Sequence, residues 1–199
     1  MTVYDADNTQ QLIAPSPRVT GSVMRTTSIA TPAQLPTSSW STVDSAFVDL
    51  GYTDETGLKQ KEERSNTDVF SWGGALVGTL QEKYSRTMSF KLLQFINTKV
   101  LQTTYGTGNV SYATQSGQAP GAEWVVQMNP TLLDTCSWVF DGFYMNRLVR
   151  VVIPIGRVTQ IGDVDLTHKA FMMSDCTLKA FPDNAGNHGY LYLNNGLAS

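Results

Sequence analysis

The sequence predicts a mainly β protein of the α+β kind with a single short helix, and three observations predict it. Apolar and polar residues alternate strictly over Arg86 to Leu92, with Met88, Phe90 and Leu92 on one side and Thr87, Ser89 and Lys91 on the other, as a half-buried strand requires. Charged residues make up only 16 % and hydrophobic residues 41 %, with Ser, Thr, Asn and Gln plentiful, a balance that suits large polar sheet surfaces. Only one segment changes to a helical period: Leu92, Leu93, Ile96, Val100 and Leu101, followed by Gly106 as a stop that tolerates positive φ. The helix is therefore expected at about 95–105.

The other elements follow in chain order. Residues 1–18 are polar and interrupted by Pro15 and Pro17, which reads as an extended N-terminal arm. Val19 to Ala30 is strand-like, and Thr31 to Ser41, rich in Pro, Ser and Thr, is a loop able to reach outward. Lys59 to Gly74 reads as a charged strand carrying Lys59, Lys61, Glu62, Glu63, Arg64 and Asp68. Two readings of those charges stand side by side: a solvated face, or ion pairs with a neighbouring copy of the chain. Gly106 to Gly121 is a turn-rich connection around a short strand at Val110 to Ala113. Five further strands are expected at Glu123 to Met128, Thr135 to Phe143, Asn146 to Ile161, Asp165 to Phe181 and Tyr190 to Leu193, the two longest joined around Gly162 and Asp163. Strands of about 12 to 15 residues run roughly 40 to 50 Å, long for a small domain.

Several function classes lose their footing on composition and motifs. At 199 residues one domain is the default. A net charge of −3 lacks the cationic excess from which a tight DNA binder draws its affinity. Cys136 and Cys176 sit in apolar strand-like runs with no secretory signal upstream, which points to buried free thiols in a protein made in a reducing cytosol. No stretch approaches the roughly 20 apolar residues needed to span a bilayer. Phosphate-cradling loops and a Gly-x-Ser-x-Gly elbow are absent from the sequence, and Gly106, Gly108 and Ser111 form a turn. His168 and His188 read as surface or hydrogen-bonded residues, and with the two cysteines they lack short metal-ligand spacing. The carboxylate pairs Asp54/Glu55, Glu62/Glu63 and Asp163/Asp165 have no apolar setting to raise a pKa. Of the tryptophans, Trp124 and Trp138 read as core, leaving Trp40 and Trp72 for a stacking platform. No catalytic residue, metal ligand or cofactor is expected, and the chain is not expected to be an enzyme.

Three blocks do carry a resemblance. They are Ala33 to Leu58 (AQLPTSSWSTVDSAFVDLGYTDETGL), Lys59 to Gly74 (KQKEERSNTDVFSWGG) and Met88 to Gly106 (MSFKLLQFINTKVLQTTYG). In pattern and order they resemble the major tail tube proteins of phages with long, non-contractile tails, especially those of actinobacterial hosts. The resemblance implies a β-sandwich or barrel-like core with one flanking helix. It implies hexameric rings stacked into a hollow tube around a tape measure protein, a virion part assembled in the host cytoplasm and contacted by tail tip and tail terminator proteins. Genomic DNA would pass through without tight binding. One domain over residues 1–199 is implied, with the arm at 1–18 and a long inter-subunit loop region at 31–64, and no added C-terminal immunoglobulin-like domain.

Under that resemblance Arg18, Asp54, Glu55, Lys59, Lys61, Glu63 and Arg64 are expected at subunit interfaces. Glu62, Asp68, Glu82, Asp163 and Asp165 are expected to face the lumen, because an acidic or neutral lumen lets phosphates slide. Other readings are a tail terminator or contractile-system tube protein, which share the fold, a β-sandwich carbohydrate-binding module, and a hydrolase.

Overall fold

The computed structural model describes residues 13–17, 22–114, 122–194 and 196 of the 199. Eleven strands and one α-helix follow in order: β1 (Ser16–Pro17), β2 (Val23–Arg25), β3 (Val48–Asp49), β4 (Lys59–Phe70), β5 (Leu76–Leu92), α1 (Thr98–Tyr105), β6 (Val110–Thr114), β7 (Ala122–Val126), β8 (Thr135–Tyr144), β9 (Arg147–Ile161), β10 (Ser174–Phe181) and β11 (Tyr190–Leu193). Nine of the strands form one antiparallel sheet in the order β3-β2-β8-β9-β10-β5-β4, with β1 added to β8 and β11 to β9, while β6 and β7 make a separate pair. The mainly β, sandwich- and barrel-like expectation is met.

The segment 48–54 bends the sheet back on itself. Its start pairs with β2, reinforced by Leu50 N–H donating to the Val23 carbonyl at 3.0 Å. Its end reaches the far side of the sheet, where Asp54 N–H donates to Lys91 O at 3.1 Å and Leu93 N–H to Tyr52 O at 3.0 Å. Inside the resulting barrel lie Val23, Leu50, Met88, Phe90, Leu92, Trp138, Phe140, Ile153, Leu178 and other buried apolar side chains. Phe90 sits 5.4 Å from Phe140 and 5.7 Å from Trp138 between ring centroids, a tilted aromatic cluster of the kind that adds to area burial.

Strands β8 and β9 are buried on both faces, which explains their nearly continuous apolar runs. Trp138, Phe140, Val151 and Ile153 point into the barrel, whereas Val139 and Val152 point outward under Phe47, Leu35, Val43, Tyr190 and Tyr192. The long connection before β3 is thus folded onto the barrel's outer side. Arg150 fastens it: its guanidinium donates twice to the Asp141 carboxylate, both at 2.7 Å, and from Nη1 to Ser41 O at 2.6 Å and Ser38 O at 3.0 Å. Both charged side chains are almost fully buried.

Helix α1 begins at Thr98, three residues later than the apolar spacing suggested, because Asn97 is its cap: Asn97 Oδ1 accepts from Lys99 N–H at 2.9 Å. Leu93 and Ile96 are consequently exposed in the turn before it, while Val100 and Leu101 are buried. Gly106, at φ 94°, ends the helix as expected. The helix closes one end of the barrel, with Thr104 Oγ1 3.2 Å from Ser174 Oγ, and the β6–β7 pair leans on it through Trp124 Nε1 donating to Thr98 Oγ1 at 2.9 Å. Strand β10 starts at Ser174, not at Asp165, since Leu166 and Phe171 are exposed and have no face to bury. Cys136 and Cys176 are free and buried, as expected, with burial pushing the Cys176 thiol up to about 12.

Candidate assembly surface

Strands β4 and β5 leave the barrel as a long two-stranded ribbon. The last β5 residue held by β10 is Arg86, opposite Ala180. From there residues 76–85 continue with β4 alone as partner, a reach of roughly 33 Å at about 3.3 Å per residue. Every β4 residue is exposed, and so are the first eight of β5. The ribbon turns at residues 71–75, where Ser71 N–H donates to Ala75 O at 2.8 Å and Gly74 N–H to Ser71 O at 2.9 Å. Its pairing is interrupted at Ser65/Asn66, leaving Glu82 as an extra residue, and again at Val69/Phe70, irregularities of the kind that increase twist.

The charges of the ribbon are satisfied largely by one another. Alternation puts Glu62 and Arg64 on one face, 2.6 Å apart, and Lys61 and Glu63 on the other, 2.5 Å apart. The hydrogen bond from Arg64 lowers the Glu62 pKa, and that from Lys61 lowers the Glu63 pKa. Asp68 accepts from Thr79 Oγ1 at 2.8 Å, and Glu82 from Thr67 Oγ1 at 2.5 Å. At the ribbon's root Arg64 lies over the Tyr84 ring at 5.1 Å, and Tyr84 meets His188 edge-on at 4.7 Å. Among the described residues, that root is where the ribbon leans on another part of its chain through aromatic contacts.

Of the residues expected at the interface, the described ones lie about the root of the ribbon. Asp54, held below the usual carboxylate range chiefly by the Thr56 backbone N–H at 2.7 Å, also feels Lys91 and Lys59. Lys59, Lys61, Glu63 and Arg64 climb the root, and Glu55 is exposed beside them. Arg18 lies outside the described residues, as do residues 1–12 of the arm. Of the region 31–64, the part around Leu35, Ser38, Ser41 and Phe47 is committed to its own barrel. The lumen candidates are split: Glu62 and Asp68 share one ribbon face, Glu82 bonds Thr67 of the other, and Asp163 and Asp165 sit exposed in the β9–β10 connection.

The sequence leaves Trp72 for a stacking platform but does not mark the rest of the apolar tip. Phe70, Trp72, Leu76, Val77 and Leu80 are all exposed there, Trp72 completely so. The sequence signal available was the apolar, turn-flanked run VFSWGGALVGTL from Val69 to Leu80, which has the make-up of a hairpin. Catalytic geometry is another matter: among the described residues no group of three or more His, Cys, Asp or Glu is placed to hold a metal, and no helix is long and apolar enough to cross a membrane.

No curated protein matches the chain. The family model for phage tail tube protein matches residues 5–198, and the chain belongs to that family, whose role is to build the tube of a viral tail.

Proposed function

We propose that this chain is the major tail tube protein of a phage with a long, non-contractile tail and an actinobacterial host. It assembles as hexameric rings stacked around the tape measure protein, and the hollow tube is the conduit for genome ejection. Tail tip and tail terminator proteins cap the stack, and assembly takes place in the host cytoplasm. Residues 1–199 act as one tube unit, with the arm at 1–18 and the rim of 31–64 reaching neighbours. The observation that carries this beyond family membership is the ribbon. A two-stranded hairpin is marginal alone in water, yet this one extends fully exposed with an apolar tip and an open edge on β4. Edges of that length invite pairing unless another surface covers them, and neighbouring copies in a ring do so.

Asp54, Glu55, Lys59, Lys61, Glu63, Arg64 and Arg18 are the proposed subunit contacts. Carboxylates outnumber Lys and Arg on the proposed lumen, with Glu62, Asp68, Glu82, Asp163 and Asp165 as its candidates, so phosphates are not gripped. A resolved lumen lined mainly by basic residues would refute that part.

The test is mass in dilute solution together with electron microscopy at rising concentration. Six-membered rings or hollow tubes support the reading. A monomer at every concentration, unchanged by added tail tip complex, rejects it.

A further inference from the structure

Strand β9 changes partners part-way along its length, and a cleft opens there on the outer side of the barrel. β11 pairs with it from Val149 to Val152 and β10 from Ile155 to Ile161. Ile153 and Pro154 lie between the two pairings, and Pro154 has no N–H to offer a partner. The cleft has a volume of about 440 Å³, within the range of ligand sites. Val152, Pro154 and Ile155 form its floor, Pro32, Leu35 and Pro36 one wall, and Tyr190 and Tyr192 the other.

Both walls are held by their own hydrogen bonds, so little ordering is left for a ligand to impose. Ala30 N–H donates to Ser137 Oγ at 2.9 Å, and Thr31 N–H donates to Gln34 Oε1 at 2.9 Å. Opposite, the rings of Tyr190 and Tyr192 lie 10° from parallel with centroids 6.3 Å apart. Asp183 Oδ1 accepts from Ala185 and Asn187 N–H, both at 2.9 Å, and Oδ2 from Tyr190 Oη at 2.6 Å.

Asp183 is the one formal charge among the described residues that line the cleft. The Tyr190 hydrogen bond first, and the backbone N–H groups after it, hold its carboxyl below the usual carboxylate range, so it is ionised at neutral pH. Among the described residues no Lys or Arg forms an ion pair with it. An uncompensated carboxylate beside an apolar, aromatic surface is complementary to a cation with an apolar body. Arginine suits it better than lysine, because the guanidinium is weakly hydrated, stacks on aromatic rings and forks onto a carboxylate. The cleft is roomier than one such side chain, and aromatic-lined grooves suit extended, proline-containing segments.

We propose that this cleft docks an extended peptide of a partner protein, an arginine flanked by proline or aliphatic residues, with the guanidinium on Asp183 beside the Tyr190–Tyr192 wall.

Titration of the unassembled full chain followed by NMR tests it, and is read whether or not tubes form. The probe is the acetylated, amidated tetrapeptide Leu-Pro-Arg-Pro, with a control carrying citrulline, the uncharged isostere, in place of arginine. The arginine peptide is expected to shift the resonances of Ala30, Ala185, Tyr190 and Tyr192 saturably, and the citrulline peptide to bind about tenfold more weakly or less. Asp183→Asn keeps an oxygen for the Ala185 and Asn187 N–H groups and should bring the arginine peptide down to the citrulline level. Ala185→Trp, at an exposed position of the lining, should block both peptides in a chain that still folds. No binding by the wild type, equal binding of the two peptides, or shifts confined to other surfaces would overturn the proposal. So would shifts at the same four residues on raising the protein concentration alone that the peptide does not reverse, since the occupant would then be a second copy.

Discussion

Strand β5 passes from one regime to another within its own length. Its last turns put Met88, Phe90 and Leu92 almost wholly inside the barrel, while its first residues leave Leu76, Val77 and Leu80 more than half exposed. The barrel half is held by burial, at roughly 25 cal/mol per Å² of apolar surface, and by a buried ion pair. The ribbon half is held by backbone pairing and by exposed charge pairs, which solvent screens and which add little. Under the proposed tube assembly, stability and assembly fall to separate parts of one sheet. Variants in the barrel should unfold the chain, and variants in the ribbon should leave a folded chain that does not assemble.

The largest effect is expected at Arg150. Arg150→Met strands the Asp141 carboxylate inside the protein and frees the Ser38–Ser41 loop, at a cost of about 3–5 kcal/mol in urea unfolding. The double variant Asp141→Leu/Arg150→Met should recover most of that loss, because no charge is then left unpaired. A comparable loss in the double variant would mean that the loop anchor, not the buried charge, dominates. Next, Leu178→Ala opens a cavity beside Trp138 and Phe90 and should destabilise by about 2–5 kcal/mol.

How much of this was legible follows from where burial leaves a pattern. Met88, Phe90 and Leu92 could be read as a strand because one face is buried, and Trp138 to Phe140 as core because both are. Residues 76–85 were silent: with no buried face, the ribbon has no alternation to read, and the extra residue at Glu82 breaks what little remains. Ile96 misleads for the opposite reason. Its apolar side chain completes the helical spacing although it is exposed in the turn before α1. The charged residues of β4 could be placed on a strand, but their pairing partners depend on a register that composition does not encode.

Within the ribbon, Trp72→Ser should change the stability of the unassembled chain by no more than about 0.5 kcal/mol and yet abolish tube formation by light scattering. A large loss of stability there would erase the contrast between the two halves. The smallest effect concerns Asp183, whose pKa is lowered first by the hydrogen bond from Tyr190 Oη at 2.6 Å. A lowered folded pKa gives stability that is present above the ordinary carboxylate value, about 3.9, and lost as pH falls through the folded one. Tyr190→Phe should move the Asp183 titration upward towards that value by NMR. No movement would show that the Ala185, Gly186 and Asn187 backbone donors hold the carboxylate instead.

The most direct test of the division of labour is hydrogen exchange across residues 64–83, measured on the unassembled chain and on the assembled form. The ribbon should exchange fast in the isolated chain, many-fold faster than Met88 to Leu92 in the same sheet, and become protected on assembly. Equal protection of ribbon and barrel in the isolated chain, or a ribbon left unprotected in finished tubes, would contradict the account.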